Sequence, residues 1–108
     1  VKLNDFAATE FLLDGLARGS WTADLLYARG ELYRARGKEG DLAKAEGFYR
    51  QSATKDPALA ESWRSLGMLL LRQGKSDEGR KMLRRYLDIA PVAGDRPMIE
   101  AMAREPQK

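Results

Sequence analysis

Neither cysteine nor histidine occurs among the 108 residues. Without cysteine there is no disulfide and no thiol chemistry, a composition that fits the cytosol and does not exclude a periplasmic or secreted protein. Without histidine the usual proton shuttle and the commonest metal ligand are missing. Together the two absences exclude, within this chain, a Ser-His-Asp triad, a Cys-His pair and a Cys/His zinc site. Long apolar runs are also missing. Met68-Leu69-Leu70-Leu71 is stopped by Arg72, far short of the roughly 20 residues that cross a bilayer. Gly37-Lys38-Glu39-Gly40 lacks the spacing and the Lys-Ser/Thr ending of a phosphate loop, and no Asp-rich calcium loop occurs. Val1 opens no signal-peptide pattern and is not an initiator Met, so the chain is expected to be a processed or excised piece whose start does not report its compartment.

What the chain does contain is ordinary for a soluble globular protein and wrong for a disordered one: 44% apolar and 32% charged residues. Ala, Leu, Arg, Glu and Lys dominate, which favours helix. The net charge of +3 is spread over interspersed acids and bases, which reads as a mixed solvated surface rather than a nucleic-acid footprint. The expectation is an all-α chain without enzymatic activity and without a cofactor.

Internal repetition fixes the organisation. Ala23, Gly30 and Gly37 recur 37 residues later as Ala60, Gly67 and Gly74, with a bulky residue (Leu26 or Trp63) four before the inner Gly and another (Tyr33 or Leu70) three after it. Gly40, Ala45, Tyr49 and Pro57 recur at an offset of 34 as Gly74, Gly79, Leu83 and Pro91. The change of offset places a three-residue insertion in the turn Gly37-Lys38-Glu39-Gly40, where a loop absorbs it cheaply. Ala8, Leu12, Gly15 and Ser20 precede Ala45, Tyr49, Ser52 and Pro57 by 37 each, so residues 4–18 read as the second helix of an earlier repeat whose first helix is missing. The expected layout is one domain over 1–108: a half-repeat helix at 4–18, repeats at 22–56 and 59–90, and a capping helix at 95–105.

Local signals agree. Trp63, Leu66, Gly67 and Leu70 share a helical face. A mid-helix Gly costs about 1 kcal/mol against Ala, so Gly30 and Gly67 are expected where a partner helix approaches closely, with Ala45 and Gly79 as the small surfaces opposite. Gly37, Gly40 and Gly74 read as C-caps, and Asp41 and Ser76 as caps of the following helices. Trp21, before Thr22, reads as a hydrophobic staple, and Pro57 and Pro91 as helix ends. Beyond Pro91, Asp95 can cap a short helix with Pro97 in its first turn; Ile99 and Met102, with Met98 beside them, would face the last repeat. The rival reading of that segment is a piece that docks into another protein.

The period, the run Trp63-x2-Leu66-Gly67-x2-Leu70, the small residue at Ala45 or Gly79 and the closing Pro resemble the tetratricopeptide repeat over about 85 of the 108 residues. Arg29 departs from the pattern where Leu is usual, as do the longer first turn and Gly79 and Tyr86 in place of Ala. Tyr86 is large for its position and is expected to open the packing towards the segment beyond Pro91. The resemblance implies a right-handed α-solenoid of antiparallel helix pairs whose first helices line a concave groove for a protein or peptide. Carried over by position, that groove is Asp24, Tyr27, Glu31 and Arg34, then Glu61, Arg64, Met68, Leu71 and Arg72. The plain alternative is that these are the exposed sides of two helices. Tyr27 and Glu31 stand where the subtype that grips C-terminal carboxylates needs Lys and Asn, which argues against that ligand.

Other surfaces are candidates too. Asp77 and Glu78 read as solvated acids at a helix start. Arg80, Lys81, Arg84 and Arg85 read as the solvated polar face of an amphipathic helix, with contact to an acidic partner, nucleic acid or anionic lipid as the lesser reading. Phe6, Phe11, Leu12 and Leu13 are expected to be exposed for want of a covering helix and available for self-association. Arg85–Pro91 followed by Asp95-Arg96 resembles the ends of bacterial repeat proteins, so an accessory role in a larger envelope or secretion assembly stands as the alternative to a peptide-binding module.

Overall fold

The computed structural model describes residues 3–104, which form six helices and, among those residues, no strand. The helices are α1 (Leu3–Ala17), α2 (Ala23–Arg36), α3 (Asp41–Lys55), α4 (Ala60–Arg72), α5 (Ser76–Ile89) and α6 (Arg96–Ala103). Their contacts divide the chain into two compact units, Val1–Leu59 with α1 to α3 and Ala60–Lys108 with α4 to α6. Among the described residues no helix is long and apolar enough to cross a membrane.

In the first unit, Thr22 caps α2, its hydroxyl accepting from the Leu25 amide at 3.2 Å. Gly37 ends the helix in the left-handed conformation (φ 64°) and donates its amide to the Tyr33 carbonyl. The chain then returns as α3 antiparallel to α2. Arg36 meets Asp41 at the turn, Gly30 meets Tyr49 mid-way, and the Ser52 hydroxyl donates to the Ala23 carbonyl at 2.7 Å at the far end. Gly30 is required for this approach: a Cβ there would lie 2.6 Å from Cε1 of the fully buried Tyr49. Helix α1 packs on α2 in the opposite direction, Phe6 edge-on to Tyr33 at 5.1 Å and Glu10 accepting from the Tyr33 hydroxyl.

The second unit repeats the plan with a contact between backbones. A Cβ on Gly67 would stand 2.9 Å from the Gly79 carbonyl oxygen, and one on Gly79 would stand 2.9 Å from that of Gly67. The two backbones touch there, and Leu83 lies across Gly67. Helix α4 closes with the Lys75 amide on the Leu70 carbonyl (2.9 Å) and the Gly74 amide on that of Leu71 (3.1 Å), Gly74 having φ 79°. Ile99 and Ala103 of α6 join Leu83, Tyr86 and Leu87 in one apolar cluster, with Met102 partly buried against it.

Several expectations need correction. Phe6 and Leu13 are buried (5% and 8% exposed), because α1 turns that face onto α2; of the four residues expected to be exposed, only Phe11 and Leu12 are. Gly40 does not end α2 but opens α3, with φ 83°. Asp41 and Ser76 are the first helical residues rather than the residues before them. Asp95 does precede α6, but its carboxylate is engaged elsewhere and only its backbone carbonyl meets the helix, accepting from the Ile99 amide. Met98 stays exposed. Of the expected capping helix, Glu105 lies outside the described residues.

Candidate functional site

The α2 residues Tyr27, Glu31 and Arg34 follow one another at spacings of four and three, which stacks them along one side of the helix. Each is half-buried, and Asp24 before them is exposed. They are held in place from below. Passing over Gly30, the Tyr49 side chain puts its ring 5.8 Å from that of Tyr27 and donates its hydroxyl to Glu31 Oε1 at 3.0 Å. The other oxygen of Glu31 accepts from Arg34 Nη2 (2.5 Å) and Nε (3.2 Å). Burial, with the neighbouring Glu31 charge, pushes the Tyr49 phenol up, so it remains a proton donor at any physiological pH. The result is a fixed aromatic-acid-base row on the surface of the first unit.

The corresponding α4 residues are placed differently. Glu61 and Arg72 are exposed. Arg64 donates from Nε to Asp95 Oδ2 at 2.5 Å, while Tyr86 donates to Asp95 Oδ1 at 2.7 Å. The Tyr86 hydroxyl and then the Arg64 guanidinium hold Asp95 below the usual carboxylate range. Met68 and Leu71 pack against the apolar cluster of α5 and α6, and Leu71 also lies over Gly79. The large Tyr86 ring is thus buried, and its hydroxyl ties down the segment that leads into α6.

At the α2–α3 turn, the fully buried Asp41 accepts from Arg36 Nε (2.7 Å) and Nη2 (2.9 Å) and from the Lys38 amide (2.9 Å). The Arg36 guanidinium in turn lies 3.7 Å above the Phe6 ring. Arg36 first, with the Lys38 amide adding to it, lowers the Asp41 carboxyl to about 2.

Elsewhere Arg29 is sandwiched, its guanidinium 4.8 Å from the Trp21 ring centre and 4.7 Å from that of Phe48. Its Nε has no hydrogen-bond partner, and Glu10 lies 3.7 Å away. Trp21, Leu26, Arg29 and Phe48 line an open cavity of about 470 Å³. The Arg that replaces the expected Leu thus sits between rings. Of the basic residues of α5, Arg80 is buried and paired with Asp77, whereas Lys81, Arg84 and Arg85 are exposed as expected, Arg84 donating to the Ala103 carbonyl and Arg85 standing over Trp63 at 5.7 Å. Among the described residues no cluster of three or more acidic side chains could hold a metal ion.

Reasoning from the sequence missed Tyr49, Tyr86 and Asp95 as organisers. The 34-residue offset marked Tyr49 only as a bulky core position; its hydroxyl was the signal available. The chain matches no family model and no curated protein with which it was compared.

Proposed function

We propose that the helix pairs are tetratricopeptide-type repeats of a right-handed solenoid, and that the chain is an interaction module that binds a protein or peptide on the exposed side of its first helices. The observation that carries the reading is the Tyr27–Glu31–Arg34 row, in which Tyr49 contacts Tyr27 and Glu31 and Glu31 binds Arg34. An ordered row of an aromatic, an acceptor and a donor recognises a peptide without the entropy cost of ordering its own side chains. Asp24 extends it, and on α4 the exposed Glu61 and Arg72 with the half-buried Arg64 and Met68 are the matching candidates. Leu71 contributes chiefly to the packing against Gly79.

The test is selection of 12-residue peptides on the immobilised chain from a displayed library, followed by calorimetry of the winners. Tyr27→Ala and Arg34→Ala should each weaken binding about tenfold or more, as truncation of a central contact does, with unchanged circular dichroism. Winners that bind both variants as tightly as the parent would refute the reading.

A further inference from the structure

The internal repeat allows α1 to be compared, position by position, with α3 and α5. Ala8, Leu12 and Gly15 correspond to Ala45, Tyr49 and Ser52, and through them to Gly79, Leu83 and Tyr86. In α3 these three positions are 0% exposed, pressed on α2; in α5 they are buried as well. In α1 all three are exposed: Leu12 is 62% accessible, and Phe11 (77%) and Leu16 (69%) flank it. The opposite side of α1, with Phe6, Leu13 and Ala17, is already buried. Helix α1 therefore packs on α2 by one side, and among the described residues its other side lacks the first-helix contact that its two counterparts both make.

We infer that the Ala8–Leu12–Gly15 face of α1 is a docking site for an amphipathic helix of the α4 type, one that carries a glycine where Leu12 crosses it. The counterparts define the occupant. Leu83, the equivalent of Leu12, rests on Gly67, where a Cβ would come within 2.8 Å of it, and Tyr49 rests on Gly30 in the same way. Ala8 is small, as Ala45 and Gly79 are, and admits the same close approach. Charge bears on it at one point: Asp5 stands one turn before Ala8 and would meet a helix that carries Arg64 and Arg72, whereas Glu10 is turned to Tyr33 and Arg29 of α2. A second copy does not offer Gly30 or Gly67 for this role, because Tyr49 and Leu83 already cover them.

The experiment titrates the isotope-labelled chain with a synthetic peptide of residues 58–75 up to about 1 mM, a range that reads weak association, and follows backbone amide shifts. The expected result is saturable shifts centred on residues 8–16. Binding should fall at least about tenfold for the chain carrying Leu12→Arg, and equally for the peptide carrying Gly67→Leu. Leu12 is exposed, so that variant keeps the fold, which its spectrum reports directly. Absence of saturable shifts, or binding indifferent to either substitution, overturns the inference. So does a dimer in sedimentation that Leu12→Arg dissociates, because that result gives the face to a second copy.

Discussion

At the scale of single residues, glycines with the same helical backbone have opposite roles. Gly67 faces the Gly79 carbonyl and Leu83, whereas a Cβ on Gly47, in the middle of α3, would meet nothing within 4 Å. Gly67→Ala should lower stability by about 1–3 kcal/mol, because the strain of overpacking against a backbone exceeds the roughly 1 kcal/mol gained in helix propensity. Gly47→Ala has only the gain, and should raise stability by about 0.5–1 kcal/mol. Urea denaturation midpoints of the two variants, measured side by side, check the sign of each.

At the scale of elements, the longer first turn carries its own fastening. Asp41 has a folded-state carboxyl at about 2, below the usual unfolded value of about 4. A depressed carboxyl stabilises the fold fully above the unfolded value and ceases to do so as pH falls from about 4 to about 2. Asp41→Asn should therefore be less stable than the parent at pH 7, and should lose less on going from pH 5 to pH 2.5. Thermal melts across that range test it; parallel curves for the two proteins would contradict the assignment. Asp95, also held low, keeps part of the slope in the variant. Helix α6 is eight residues long and depends on Ile99, which is 0% exposed. Ile99→Ala should cost the second unit about 2–4 kcal/mol through the cavity it leaves. In hydrogen exchange, amides of α6 should lose protection first, while those of α2 and α3 keep theirs.

At the scale of the whole chain, Arg36, Arg64 and Arg80 are paired with Asp41, Asp95 and Asp77, while Lys81, Arg84 and Arg85 of α5 stay exposed, so the +3 charge is spread rather than gathered. Fluorescence anisotropy with a 20-base-pair DNA duplex at about 150 mM salt should show no binding at micromolar protein, since the 19 cations are interspersed with 16 acids and the net charge is only +3. The helical character of the chain, the helix boundaries to within a residue or two and the glycine contacts were legible in the sequence. Small residues at fixed offsets have one economical explanation, close approach, and Gly67 with Gly79 meets it. What was not legible depends on where side chains end. The pattern treats Tyr49 and Tyr86 as bulk, yet their hydroxyls organise Glu31 and Asp95. It treats Phe6 and Leu13 like Phe11 and Leu12, because a helix with apolar residues on several sides does not announce which side is covered. It also reads Arg80 as solvent-facing from its charge alone, although the long side chain is buried beside Asp77.

The touching backbones at Gly67 and Gly79 also constrain how this sequence can change over time. Elsewhere in a core, an enlarged side chain can be answered by a shrunken neighbour. Here the neighbour is already a glycine and the obstacle is a carbonyl that every residue carries. No second mutation compensates for the first, so drift at these two positions is blocked from both sides, and the pair should stand out as the least permissive sites in a saturation scan of α4 and α5.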